Sequence, residues 1–329
     1  MTKPVLFSGM QPTGRLHLGN YLGALKNWVE LQASGRYQCY FFIVDLHALT
    51  QPQEPKELQT NIMNLAADYF AAGIDPKKSV VGLQSAVPAH SELTWILSTI
   101  TPMGELERMT QFKDKSSRQK ENINAGLFTY PILMAADIIL YDAAFVPVGD
   151  DQLQHLELTR TLVRKFNAKY GETFVEPKPL LTETPRVMSL SDPMRKMSKS
   201  EPAGCLFLDD SPADIEAKVK RAVTDSGSEV KFDEEKKPAI ANLLRIYSSL
   251  SGESVQVLEK RFEKSAYSEF KSDLAKLVIE HFAEFRAKKA ELKKKPDALK
   301  KTLSAGSGQA AKIAEKKITE VKERIGIAL

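Results

Sequence analysis

Short runs of consecutive apolar residues are separated by longer amphipathic stretches through the first half of the 329-residue chain. These runs cover residues 5–7, 39–44, 80–83 and 145–148. Strands without alternating polar residues are typical of parallel sheets, because helices bury both faces of such a sheet. The feature therefore predicts an α/β domain with a doubly wound parallel sheet. Ligands bind these sheets beyond the carboxyl ends of the strands.

The amphipathic stretches between the predicted strands have the spacing of helices. Apolar residues recur about every 3.6 positions over 18–29 and again over 58–70. The second stripe is followed by Gly73, a common residue just after a helix end. We therefore expect helices to connect the strands, as a doubly wound sheet requires.

The pattern changes after about residue 190. Residues 213–286 show several helical stripes and little strand signal, which predicts a smaller, all-helical domain. Glycines at 306 and 308 predict a loop, followed by a final helix over 309–324. We expect three parts: a catalytic domain at 1–190, a polar lysine-containing loop followed by a helical domain at 191–295, and a basic C-terminal helical segment at 296–329 that packs near the catalytic domain.

Basic residues are concentrated near the end of the sequence. Residues 288–324 contain twelve Lys and Arg against five Asp and Glu, whereas the whole chain has a formal net charge of +4. This segment is either a solvated, lysine-rich helix face or a surface that contacts the phosphates of a polyanion. Composition alone does not separate the two.

Cysteine content and hydropathy limit the class of protein. Two cysteines are too few for a cysteine-based metal site, and they fit a reducing compartment. The first residues lack a secretory signal, and the most apolar stretch, 131–141, is too short to cross a bilayer. We expect a cytoplasmic protein with no resident metal and no membrane partner.

The first candidate motif, His17-Leu18-Gly19-Asn20 (the HLGN motif), joins the first predicted strand to the first predicted helix. Gly19 would let a base or ribose approach the backbone closely. His17 and Asn20 would place polar groups where free backbone N–H groups favour phosphate. The alternative is an ordinary strand–helix turn with a polar cap.

The second candidate motif is Lys196-Met197-Ser198-Lys199-Ser200 (the lysine loop). Two lysines three positions apart can bind a polyphosphate whose negative charge increases as pyrophosphate leaves. Two lysines at this spacing, without the rest of the motif, would usually lie in an exposed basic loop. The complete five-residue string occurs by chance far more rarely and favours the phosphate-binding interpretation.

Asp137 is the isolated acidic residue of the apolar stretch 131–141. A buried carboxylate without a hydrogen-bond donor is costly, so Asp137 needs either an internal donor or a ligand donor. The indole N–H of tryptophan would satisfy it, and so would the hydroxyl of tyrosine. A site built in this way rejects phenylalanine, which would leave the carboxylate unpaired.

Together the two motifs resemble those of the class I aminoacyl-tRNA synthetases, which carry a His-Ile-Gly-His type signature and a later Lys-Met-Ser-Lys-Ser loop. The lysine loop matches completely, whereas the HLGN motif has Leu for Ile and Asn for the second His. The stretches 104–113, 129–137 and 146–152 further resemble the bacterial tryptophanyl-tRNA synthetase family. The likeness extends from Phe7 to about Leu277 and weakens in the lysine-rich tail.

The resemblance implies a Rossmann-like catalytic domain that activates L-tryptophan with ATP, which carries Mg²⁺, and transfers it to tRNA(Trp). It also implies a homodimer and no DNA partner. The residues implied to contact ATP are Gln11, Pro12, Thr13, Gly19, Asn20, Gly149, Asp150, Asp151, Val187, Lys196, Met197, Ser198, Lys199 and Ser200. The residues implied to form the tryptophan pocket are Phe7, His47, Tyr130, Met134, Asp137, Val146, Val148 and Gln152.

The groups expected to assist the chemistry are Lys196, Lys199, Ser198, Lys115 and His17. Asp150 and Asp151 either hold a ribose or an ammonium group, or cap the helix that begins near Gln152. We expect His90 and His155 to be structural or surface residues.

Three other functions remain open from the sequence. A tyrosyl-tRNA synthetase would satisfy the chemistry of Asp137 equally well. A small nucleotidylyltransferase can share the first signature, although the complete lysine loop and the additional helical domain argue against it. A non-catalytic paralogue that binds tRNA would be expected to have a damaged lysine loop, and the loop here is intact.

Overall fold

The computed structural model describes residues 3–109, 124–149, 152–181 and 185–328. Within these ranges five parallel strands form one sheet in the order β3-β2-β1-β4-β5. Because the order reverses between β1 and β4, the prediction of a doubly wound α/β sheet is confirmed. The strands are β1 (Val5–Met10), β2 (Gln38–Ile43), β3 (Ser79–Leu83), β4 (Phe145–Val148) and β5 (Lys178–Leu181).

Strand β5 was not predicted from the sequence. It pairs with β4 from Phe145↔Lys178 onwards and forms one edge of the sheet. Lys178 and Pro179 are exposed, so the strand lacks the apolar run that marks the other four. Proline and lysine are typical of edge strands, where the outer backbone groups need no partner strand.

Helices cover both faces of the sheet in the first part of the chain. A five-residue π-helical segment, Tyr21–Leu25, continues α1 into α2. Such segments are rare and occur frequently at functional sites. The helices here are α1 (Leu18–Asn20), α2 (Lys26–Ala33), α3 (Asp45–Ala48), α4 (Pro55–Ala72), α5 (Ala89–Ser98), α6 (Met103–Glu107), α7 (Ala125–Ile139) and α8 (Leu153–Tyr170).

The second part of the chain folds into helices whose apolar faces join the core under α2 and α4. No helix in the described ranges has both the length and the apolar character needed to span a bilayer. The helices are α9 (Pro212–Arg221), α10 (Pro238–Ser251), α11 (Val255–Arg261), α12 (Tyr267–His281), α13 (Ala283–Lys293) and α14 (Pro296–Ile325).

The loop predicted at 306–308 is wrong, because α14 continues through it as one 30-residue helix. A Cβ atom at Gly306 would lie 2.0 Å from the carbonyl oxygen of Val81, so glycine lets the helix approach β3 closely. The neighbouring Ser307 accepts the backbone N–H of Leu83 at 2.9 Å. The tertiary contact with the edge strand therefore overrides the low helix propensity of glycine.

Candidate active site

Strands β1 and β4 pair only at Leu6↔Phe145, and a cavity of about 520 Å³ opens beyond that point. Its walls include Phe7 and Gly9 of β1 and Val146 and Val148 of β4. The cavity thus lies at the carboxyl ends of the two strands between which the sheet order reverses. This is the place where doubly wound sheets bind their ligands.

All eight residues assigned to the tryptophan pocket line this cavity: Phe7, His47, Tyr130, Met134, Asp137, Val146, Val148 and Gln152. Most of them are apolar or aromatic, which suits a flat apolar side chain. Asp137 is 2% exposed and supplies the buried charge. The structure therefore brings together residues that are up to 145 positions apart in the sequence.

Asp137 is already surrounded by internal donors. His47 Nε2 donates to its Oδ2 at 2.8 Å, and His90 Nδ1 donates to its Oδ1 at 2.6 Å. Gln84 Nε2 lies 2.8 Å from Oδ1 and 2.9 Å from Oδ2. Of the two alternatives that the sequence left open, the internal donors are present, and each oxygen accepts two contacts.

These donors hold Asp137 in its charged form. Burial by itself would raise the pKa of this carboxyl, but His90 and His47 outweigh burial and lower the pKa to about 2. A carboxylate has no proton to give, so each facing ring nitrogen must carry one. The hydroxyl of Tyr141 lies 2.8 Å from the other nitrogen of His90 and completes the arrangement.

Gln84 and His90 were missed as site residues by sequence reasoning. Both side chains are fully buried, and neither lines the cavity. A signal existed for Gln84, because it directly follows β3 at the carboxyl end of the sheet. His90 and His155 are both buried, so the surface alternative is wrong for each, and His155 contacts the Tyr130 hydroxyl at 2.9 Å.

The HLGN motif forms the reciprocal cap that its sequence allows. His17 Nδ1 accepts the backbone N–H of Asn20 at 3.3 Å, and Asn20 Oδ1 accepts the backbone N–H of His17 at 3.2 Å. A Cβ at Gly19 would lie 3.0 Å from the His17 ring and 3.9 Å from Val187. The glycine therefore keeps this face of the helix start open.

His17 is held as a neutral imidazole. Burial lowers its pKa to about 4, and the positive charges of Lys199 and Lys196 contribute further. Because its Nδ1 accepts a hydrogen bond, the proton of the neutral ring lies on Nε2. His17 can therefore donate one hydrogen bond from Nε2 without adding a positive charge.

The lysine loop lies against the segment that leads into the HLGN motif. Lys199 Nζ lies 3.2 Å from Oγ1 of Thr13 and 3.4 Å from the carbonyl oxygen of Gly14. Lys196 reaches the cavity itself. Met197 is buried, and its backbone N–H binds the carbonyl of Val187 at 3.1 Å, so it fixes the start of the loop.

The residues assigned to ATP divide into three groups. Gln11, Gly149 and Lys196 line the cavity. The second group lies in the HLGN motif, in the lysine loop and in the segments that contact them. Its members are Pro12, Thr13, Gly19, Asn20, Val187, Met197, Ser198, Lys199 and Ser200. Asp150 and Asp151 lie outside the described residues, and so does Lys115, which was expected to assist the chemistry.

No group of three or more metal-binding side chains that could hold an ion was found in the described part of the chain.

Comparison with known proteins gives a consistent picture. The model of the family described as tRNA synthetases class I (W and Y) matches residues 1–283. The tryptophan–tRNA ligase of Bacillus anthracis is 49% identical over 327 residues, which cover 98% of each chain. The corresponding ligase of Bacillus subtilis is 47% identical over 328 residues, which cover 99% of this chain and 98% of that protein.

Solved structures agree with this result. The tryptophanyl-tRNA synthetase of Campylobacter jejuni complexed with ADP and tryptophan superposes with a TM-score of 0.85 at 40% identity, covering 98% of this chain and 99% of that chain. The tryptophanyl-tRNA synthetase of Mycoplasma pneumoniae superposes with a TM-score of 0.89 at 34% identity, covering 99% of each chain.

Proposed function

The chain belongs to the class I tRNA synthetases of the tryptophan and tyrosine family, and we propose that it ligates L-tryptophan to tRNA(Trp) with ATP. The observation that carries the proposal is a buried, ionised Asp137 at the wall of an apolar, aromatic cavity between β1 and β4. An indole ring satisfies both parts of this environment, since its faces are apolar and its single N–H is a donor.

His47 is the donor to Asp137 that a bound tryptophan would meet. It lines the cavity, whereas Gln84 and His90 approach the carboxylate from outside the cavity. The indole N–H therefore shares or replaces the His47 contact on Oδ2. Phenylalanine offers no donor and gains nothing from the charge, which gives the site its specificity.

In the first step a carboxylate oxygen of tryptophan attacks the α-phosphorus of ATP. The bond from this phosphorus to the bridging oxygen breaks, and pyrophosphate leaves with the Mg²⁺ that ATP carries as part of the substrate. Lys196 and Lys199 neutralise the charge that develops on pyrophosphate, and His17 donates from Nε2 without repelling the lysines. We assign Ser198 and Lys115 supporting phosphate contacts from the family resemblance.

In the second step a ribose hydroxyl of the terminal tRNA adenosine attacks the activated carbonyl, loses its proton, and displaces AMP. We assign residues 1–190 and the lysine loop to catalysis, and the helical part of 191–295 together with the basic segment 296–329 to the side that faces tRNA. The lysine-rich exposed face of α14 supports this assignment through phosphate contacts.

We further propose that the active form is a homodimer. Trp95 of α5 is 74% exposed and Met103 of α6 is 61% exposed. Both helices pack on α7, the helix that carries Asp137. Exposed aromatic and methionine side chains are typical of interface cores. Trp95→Lys should convert the dimer to a monomer in sedimentation, and an unchanged mass would contradict the proposal.

The function is tested by measuring ATP–pyrophosphate exchange with each of the twenty amino acids. Of the twenty, only tryptophan should support exchange, and tRNA(Trp) should then accept the amino acid. Exchange with tyrosine alone would establish a tyrosyl-tRNA synthetase instead. Adenylyl transfer to another acceptor would identify a nucleotidylyltransferase, and no exchange with any amino acid would favour a non-catalytic paralogue.

A further inference from the structure

A chain of charged side chains lies outside the cavity, between α13 and α4. Lys289 of α13 is 5% exposed, and its Nζ lies 2.5 Å from Asp68 Oδ1 and 2.8 Å from Asp209 Oδ2. Asp68 of α4 is fully buried. Lys289 therefore joins a helix of the second part of the chain to a helix under the sheet and to the segment that follows the lysine loop.

The same group of charges continues to Arg15, two positions before the HLGN motif. Arg15 donates to Asp209 at 2.8 Å and to Asp210 at 2.8 Å, and its guanidinium lies 4.2 Å from the ring centre of Phe207. Lys218 donates to Asp210 at 2.6 Å. The Lys289 cluster consists of Arg15, Asp68, Asp209, Asp210, Lys218 and Lys289.

The cluster adjoins a backbone contact between the start of the HLGN motif and the segment 206–208. Leu18 donates its N–H to the carbonyl of Leu206 at 2.8 Å, and Leu208 donates to the carbonyl of Leu16 at 3.0 Å. Leu16 and Leu18, at the start of the HLGN motif, are thus bonded to the segment 206–208, which begins six residues after the lysine loop. Asp210 also accepts the N–H of Phe207 at 3.0 Å, so the cluster fixes this segment directly.

The buried pair of Asp68 and Lys289 stabilises the core no better than apolar side chains would. Asp68 Oδ2 has no hydrogen-bond partner among the described residues, and burial raises the pKa of this carboxyl to about 6 although Lys289 partly opposes it. An apolar pair of similar volume would stabilise such a place equally well or better. What an ion pair adds is direction, because Lys289 must point at Asp209.

We propose that Lys289 is a positioning residue for ATP. It orients Asp209, which holds Arg15, and thereby sets the distance between the HLGN motif and the lysine loop. The inference rests on the proposed function, because it requires that these two motifs bind ATP together. It gives helix α13 control over nucleotide affinity although none of its residues touches the cavity.

The first test compares Lys289→Met with Lys288→Met. Lys288 is half exposed and pairs on the surface with Glu284, so its loss should change nothing. Lys289→Met should weaken binding of MgATP, measured by calorimetry without tryptophan, by roughly tenfold. Tryptophan affinity, measured by equilibrium dialysis, should stay within about twofold, because Asp137 and its donors are not part of the cluster.

A second variant separates positioning from stability. In Asp68→Leu/Lys289→Met the buried pair is replaced by an apolar pair, which should restore the free energy of unfolding to the wild-type value or above. MgATP binding should remain weakened, since Asp209 still lacks its contact with Lys289. If MgATP affinity returned together with stability, Lys289 would be purely structural and the proposal would be overturned.

These readouts also separate this inference from the proposed function. A wild-type protein that binds MgATP but shows no tryptophan-dependent exchange would contradict the function and leave the effect of Lys289 measurable. If the wild-type protein showed tryptophan-dependent exchange and Lys289→Met left its MgATP affinity unchanged, only the positioning role would be contradicted.

Discussion

The Nζ atom of Lys199 lies 3.2 Å from the Oγ1 atom of Thr13, across 186 positions of sequence. The lysine also approaches the carbonyl oxygens of Thr13 and Gly14 at 3.3 and 3.4 Å. These partners are neutral dipoles, so a polyphosphate would compete for the ammonium group effectively. The contact holds Lys199 beside the segment that leads into the HLGN motif.

Lys199→Ala should slow tryptophan-dependent pyrophosphate exchange by about a hundredfold, because a charge that stabilises the leaving group is lost. Tryptophan affinity should change by less than about twofold, since Lys199 contacts neither Asp137 nor the apolar walls. Exchange kinetics and equilibrium dialysis measure the two effects. Lys165→Ala, on the exposed face of α8, is the control. Equal losses in both quantities would contradict the assigned role.

His17 should make the protein less stable as the solution becomes acidic. Its pKa is about 4 in the folded chain, below the ordinary value of 6.5, so the unfolded chain binds a proton that the folded chain excludes. The contribution to the free energy of unfolding is complete above pH 6.5 and is lost as the pH falls towards 4. Urea unfolding at several pH values measures this loss.

His17→Asn keeps a capping side chain and removes the titrating ring, so the slope between pH 6.5 and 4 should become smaller. In Lys199→Ala the pKa of His17, followed by NMR, should rise but stay below 6.5, because burial is the larger cause. A slope that is unaltered in His17→Asn would mean that another group titrates.

Gln84→Met should weaken tryptophan activation although Gln84 does not touch the substrate cavity. Asp137 would lose a donor to each oxygen, so its pKa should rise and its orientation should loosen. We expect a destabilisation of about 1–3 kcal/mol and a smaller preference for tryptophan over phenylalanine in kcat/KM. Thermal unfolding and exchange kinetics provide the two measurements. An unchanged preference would show that His47 and His90 suffice.

Two glycines of α14 should respond in opposite ways to alanine. Gly306→Ala places a Cβ against the carbonyl oxygen of Val81 and should destabilise the fold by about 1–3 kcal/mol. Gly308→Ala meets no atom within 4 Å and should stabilise the helix by about 0.5–1 kcal/mol. Urea unfolding of both variants is the measurement. A similar effect at both positions would exclude the close contact as the cause.

The isolation of Asp137 in an apolar stretch was enough to predict that it needs a donor. It was not enough to identify the donors, because His47 lies 90 positions away and Gln84 lies 53 positions away. Four strands were recognisable since burial on both faces demands apolar residues. Strand β5 was not, because an edge strand tolerates Lys178 and Pro179.

The loop predicted at Gly306 was wrong for a related reason. A local rule assigns Gly306 to a loop, since glycine weakens an isolated helix by about 1 kcal/mol. The close approach of α14 to β3 outweighs that loss, and no local pattern reveals an approach between positions 224 apart, as for Leu83 and Ser307.

The bond from Leu83 to Ser307 also has a consequence for how the protein is made. A chain leaving the ribosome completes β3 long before α14 exists, so the outer edge of β3 stays bare while more than 200 further residues are synthesised. Bare edges pair readily with other chains. Until α14 docks, the nascent protein is therefore open to aggregation at this edge, and the docking of α14 closes it.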